Sequence, residues 1–112
     1  MPGRMVRLTV SLAASGRRAG DLLAALRYIA VTTHREEGCV GCSVWTGQES
    51  SLQYVEEWAT EEDVRRRIRS DRFTALLSVI ESASEPPGVR FDFVAHTRGL
   101  DYVAEIRGDS VS

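Results

Sequence analysis

Cys39-Val40-Gly41-Cys42-Ser43-Val44-Trp45-Thr46, followed by Leu52-Gln53-Tyr54-Val55-Glu56-Glu57-Trp58, reads as two β-strands in succession. The residues between them, Gly47-Gln48-Glu49-Ser50-Ser51, suit a short hairpin loop. Upstream, Leu22, Leu23, Leu26, Ile29, Ala30 and Thr33 recur at helical spacing, with Asp21 as a cap and Gly38 as the stop. Ala13 to Gly20, with Ser15-Gly16, reads as a loop. Before it Val6, Leu8, Val10 and Leu12 alternate with Arg7, Thr9 and Ser11, a strand with one apolar face. Downstream, Thr60 and Asp63 form an N-terminal capping pair, and Glu61, Glu62 and Asp63 suit the positive first turn of a helix. Ser70-Asp71 breaks that helix. A second helical stretch follows with Phe73, Leu76, Leu77 and Ile80 on one face, and Pro86-Pro87-Gly88 ends it. Val89 to His96 alternates as a fourth strand, Leu100 to Arg107 is expected as a short fifth, and Gly108 to Ser112 as a frayed tail.

The order β-α-β-β-α-β predicts an α+β, ferredoxin-like fold: a four-stranded antiparallel sheet with both helices on one face. The other face then has no helix to cover it, although Trp45, Tyr54 and Trp58 are candidates to lie there. Large aromatics on an uncovered sheet call for a partner, and the simplest is a second copy packed sheet to sheet. A cavity between two such sheets is expected to be lined by Thr9, Ser11, Trp45, Tyr54, Glu56, Trp58 and His96.

With 112 residues, 43% hydrophobic and 27% charged, the chain suits one globular domain over 1–112, its core spanning about 5–107. A formal charge of −2 offers no general attraction to nucleic acid. No apolar run nears the roughly 18 residues of a membrane helix, and the N-terminus has no signal layout, so a cytoplasmic location is expected. Every basic residue other than the two histidines is Arg, and Asn is absent. Cys39 and Cys42 form a C-x-x-C on a strand, where residues three apart point to opposite faces. Two diverging, reduced thiols without a metal are the expectation.

Three strings carry a resemblance: Glu36-Glu37-Gly38-Cys39-Val40-Gly41, then Glu56-x-Trp58, then Ser70-Asp71-Arg72-Phe73. Over residues 5 to 96 the sequence resembles the antibiotic biosynthesis monooxygenases, small dimeric α/β-barrel proteins that include quinol and anthrone oxygenases. The resemblance implies a homodimer that oxygenates an electron-rich aromatic with O₂, without metal or flavin. The family's helical His falls on Arg67 here, and the polar amide that several members place in the pocket has no counterpart.

Such chemistry starts by removing a proton from a phenol or enol, which needs a base or a group that favours the oxyanion. Arg67 cannot be a base but can stabilise a phenolate. Equally, it fits a solvated face with Arg65, Arg66 and Arg69. Glu56 is a candidate base if desolvated, or one half of an ion pair. His96 is a candidate proton shuttle, or an exposed strand end. Trp58 is a candidate wall for a flat ligand, or dimer packing; Tyr54, Trp45, Thr9, Ser11 and Tyr102 are further lining candidates. His34, late in its helix, suits the negative end of the dipole.

Overall fold

A computed structural model describes residues 5–14, 16–47, 51–83, 86–93 and 97–109. Its elements run β1 (Val6–Ala13), α1 (Gly16–His34), β2 (Cys39–Thr46), β3 (Ser51–Trp58), α2 (Glu61–Arg69), α3 (Phe73–Glu81), β4 (Gly88–Asp92), β5 (Thr97–Arg98) and α4 (Leu100–Asp109). The sheet order is β2-β3-β1-β4-β5, and every pairing is antiparallel. This is the ferredoxin-like α+β layout with a two-residue strand added beyond β4. No helix of the described residues is long and apolar enough to cross a membrane.

The alternation in β1 decides where the core lies. Val6, Leu8, Val10 and Leu12 are buried, and their partners Trp58, Glu56, Tyr54 and Leu52 in β3 are buried beside them. Against this face α1 packs Leu22, Leu26 and Ile29, α2 packs Val64 and Ile68, and α3 packs Phe73, Leu76 and Ile80. Each fully buried Leu or Ile contributes about 1.5–3 kcal/mol relative to an exposed one.

Three expected boundaries need correction. Helix α1 starts at Gly16, not at Asp21, because Arg17 to Gly20 continues as helix; the helix tolerates Gly20 at a cost of about 1 kcal/mol. Strand β4 ends at Asp92 rather than His96, and residues 94–96 lie outside the described part. Leu100 to Arg107 is not a strand. Tyr102, Val103 and Ile106 are buried at helical spacing, and α4 folds over β4 so that the Tyr102 ring meets Phe91 at 5.0 Å and Phe93 at 5.3 Å between centroids.

A joint forms at Gly38, whose φ of 87° suits glycine. A Cβ there would collide with the Asp63 carboxyl. The Gly38 carbonyl accepts from the Ala59 amide at 2.8 Å, just beyond β3. Asp63 accepts the Thr60 hydroxyl at 2.8 Å, and Thr60 Oγ1 accepts the Asp63 amide at 3.1 Å to close the cap of α2. One residue on, Val40 and Gly41 make a bulge: Cys39 lies opposite Trp58 while Gly41 lies opposite Glu57.

Candidate functional site

Strand β3 presents Tyr54, Glu56 and Trp58 to the helices, as its period of two requires. In α2, Arg67 stands three residues after Val64 and next to Ile68, so it borders the buried stripe and turns inward, 2% exposed. Its Nη2 donates to Glu56 Oε2 at 2.9 Å and its Nε to Oε1 at 3.3 Å. Nη2 also reaches Thr33 Oγ1 at 3.0 Å, and Nη1 reaches Glu36 Oε2 at 3.2 Å. The guanidinium lies 5.3 Å from the Phe73 ring centroid.

Glu56 is completed from its own strand. The Tyr54 hydroxyl donates to Oε2 at 2.5 Å and the Trp58 indole N–H to Oε1 at 2.9 Å. A carboxylate has about four lone-pair sites, and here four hydrogen bonds fill them. The acceptor sites of Glu56 are thus all engaged within the protein. Burial opposes the charge on Arg67, yet the Glu56 carboxylate outweighs it, and the guanidinium's pKa lies above its ordinary value. Burial, and then the Glu56 charge, raise the Tyr54 phenol, which stays a donor. Among the described residues no buried side-chain polar atom lacks a partner.

The expected single cavity is divided by the sheet. Thr9 lies opposite Val55 and Ser11 opposite Gln53, and Trp45 also pairs with Gln53, so these three share the helix-free face. Tyr54, Glu56 and Trp58 alternate with them and point the other way, toward the helices. The face that Trp45 shares is also not the apolar surface expected. Arg7, Gln53, Glu57 and Arg90 line a hollow of about 340 Å³ there with Thr9, Ser43, Trp45 and Val55. Arg7 and Glu57 pair across it at 2.9 Å. Trp45 itself is 60% exposed. His96 lies outside the described residues. Tyr102 belongs to the α4 packing, its hydroxyl donating to Glu61 at 3.0 Å.

The two thiols do not diverge. The bulge adds a residue between them, so Cys39 opposite Trp58 and Cys42 opposite Glu56 share the helix side. Cys42 Sγ donates to the Tyr54 hydroxyl at 3.2 Å, at the outer end of the network. Burial is the main cause that pushes Cys39 up to about 11 and Cys42 up to about 12. The raised values favour the protonated thiols in the fold; that stability is present below the ordinary 9.0 and is lost as pH rises through these values. Thiolate is the reactive form, and its scarcity is half offset by the greater nucleophilicity of a high-pKa thiol. At pH 8 iodoacetamide is expected to alkylate native Cys39 about tenfold, and Cys42 about thirtyfold, more slowly than a free thiol. Native rates equal to those in urea would contradict this. Among the described residues no group of three or more His, Cys, Asp or Glu is placed to hold a metal.

Sequence reasoning missed Thr33 and Glu36 as partners of Arg67. The signal was there: Thr33 is a polar residue on the apolar stripe of α1, and Glu36 follows it by three. Also missed was the cleft on which Arg67 opens. Between α1 and α3 a space of about 430 Å³ is lined by Tyr28, Ile29, Thr32, Thr33, Arg35, Arg67, Arg72 and Ala75.

Solved structures place this architecture. A Deinococcus radiodurans protein, provisionally named an antibiotic biosynthesis monooxygenase, superposes with a TM-score of 0.70 over 78% of this chain and 89% of its own, at 20% identity. The chain has the fold of the antibiotic biosynthesis monooxygenases. A Nitrosomonas europaea protein with the same provisional name matches 88% of this chain and 92% of its own at 14% identity, TM-score 0.68. A conserved Bacteroides thetaiotaomicron protein of unknown function, suggested to be an oxidoreductase, matches 81% of this chain and 98% of its own at 16% identity, TM-score 0.73. No family profile matches the sequence, and no curated protein does.

Proposed function

We propose that the chain binds a small electron-rich aromatic in the cleft beside Arg67 and oxygenates it with O₂, without metal or flavin. The observation that carries this reading is Arg67 itself: a buried, permanently charged guanidinium on the wall of a ligand-sized cleft. The names of several proteins sharing the fold support it at the level of reaction type. A phenol entering the cleft gives its proton to water, since the Glu56 lone pairs are taken. Arg67 then stabilises the phenolate that reduces O₂. Four of the five guanidinium N–H groups are used inside the protein, which leaves one on Nη1 for the cleft.

The saturation of Glu56 favours a second reading, a dimeric ligand-binding or structural protein without catalysis. In both readings a second copy covers the open sheet face that carries Thr9, Ser11 and Trp45. Oxygen uptake with a panel of hydroquinones and anthrones separates the two. The first reading expects uptake by the wild type and a drop of about 10² in kcat for Arg67→Lys, which keeps the charge but loses the planar fork. Binding detected by calorimetry with no uptake from any compound would move the assignment to the second.

A further inference from the structure

We propose that the cleft between α1 and α3 selects an aromatic carboxylate, its acid group held by Arg35 and Arg72 at the mouth and its ring laid against Tyr28 and Ile29. This rests on the reading of that cleft as the ligand site, and adds the class of ligand.

Charge makes the case. The cleft wall carries three guanidiniums, Arg35, Arg67 and Arg72, and no carboxylate. A lining with guanidiniums and no carboxylate is found also in the hollow beside Thr9 and Ser11, but its Arg90 and Arg98 are ion-paired, to Asp92 and to Asp101 and Glu105. Arg67 is spent on Glu56 and Glu36. Arg35 and Arg72 make no ion pair or side-chain hydrogen bond within the described residues, whereas Arg65, Arg66 and Arg67 on the adjacent helix are each paired. Glu37 and Asp71 line the neighbouring hollow with Arg66 and Arg72, so Arg72 is the group the two spaces share. Two free guanidiniums facing one space suit a carboxylate, because each presents a planar fork that carboxylate oxygens match.

The rest of the lining suits a ring. Tyr28 is 73% exposed, a large aromatic face that a flat ligand would take out of water. Ile29 and Ala75 extend the apolar side, and Thr32 and Thr33 add hydroxyls, that of Thr33 bonded to Arg67. A space of about 430 Å³ lies in the range of small-molecule sites and accommodates one or two fused rings. The cleft thus combines two exposed arginines, Arg35 and Arg72, an apolar side, and the buried, compensated Arg67.

Titration calorimetry of the full chain with 2-naphthoate and its neutral isostere 2-naphthamide tests this. Naphthoate is expected to bind at least about tenfold more tightly at low salt, the worth of roughly one charge-assisted contact. Arg35→Gln and Arg72→Gln, both at exposed positions, should remove that preference without shifting the melting temperature, and Tyr28→Ala should weaken both ligands. Equal affinity for the two ligands, lost in Tyr28→Ala, overturns the carboxylate assignment while leaving the cleft as a ligand site. A preference that survives both Gln variants overturns it as well. Failure of both ligands to bind at millimolar concentration overturns the cleft reading with it.

Discussion

Replacing Arg67 with Ala lowers the stability of the fold by about 3–5 kcal/mol, because it leaves the Glu56 carboxylate buried without a counter-charge. Glu56 is wholly enclosed, so water cannot screen it. It would keep only the Tyr54 and Trp58 donors of its present four hydrogen bonds. Adding Glu56→Gln to Arg67→Ala restores part of the loss, since the amide oxygen still accepts from one of the two donors, Tyr54 or Trp58, and the side chain has no charge to compensate. Urea denaturation of the wild type, both single variants and the double variant gives the coupling. Effects that add to within about 0.5 kcal/mol would show that the two residues do not act as a pair. The same enclosure explains why Arg67→Lys, not Arg67→Ala, is the variant for rate measurements.

Trp58→Ala is expected to cost a further large amount, about 3–5 kcal/mol, while Trp45→Ala changes the folding stability of the single chain, apart from any pairing of chains, by no more than about 0.5 kcal/mol. Trp58 is 1% exposed and packs inside the core of the chain, and its indole N–H holds one oxygen of Glu56. Trp45 is 60% exposed and its N–H reaches only Ser43 on the same strand, at 3.0 Å. The two tryptophans, alike in sequence setting, therefore report on different things. Trp58 reads out folding. Trp45→Asp reads out the proposed pairing of sheet faces: the variant should sediment as a folded 12.4 kDa monomer where the wild type sediments at twice that mass. A wild type that is already monomeric, or a Trp45 variant that unfolds, contradicts the arrangement.

The sequence made the order of elements legible wherever one local signal decided it. Alternation marked β1, the Thr60–Asp63 cap marked α2, and Ser70 with Asp71 marked the step into α3. Ambiguity arose where two periods fit one string. Leu100 to Arg107 suits a strand by composition, and only the burial of Tyr102, Val103 and Ile106 against β4 shows the helix. The site suffered from the same parity problem at larger scale. Glu56 and Arg67 were both singled out, but not their pairing, which depends on α2 crossing above β3. Trp58 and Tyr54 were assigned to the open face although β1 and β3 pair them with Val6 and Val10, whose apolar face must turn toward the helices. For the cysteines no strand rule could work, because the bulge at Val40 and Gly41 resets the count.

The Gly38 joint changes what the Glu36-to-Gly41 string can be taken to mean. Glu36 reaches Arg67, the Glu37 carbonyl accepts from Arg66 at 3.0 Å, Gly38 makes room for Asp63, and Cys39 opens the strand that the next two residues kink. Each of these residues fastens one element to another, and none of them lines the cleft. The string therefore carries information about how α1, β2, β3 and α2 are joined and none about what occupies the cleft, whose wall is built from other residues, Tyr28, Arg35 and Arg72 among them.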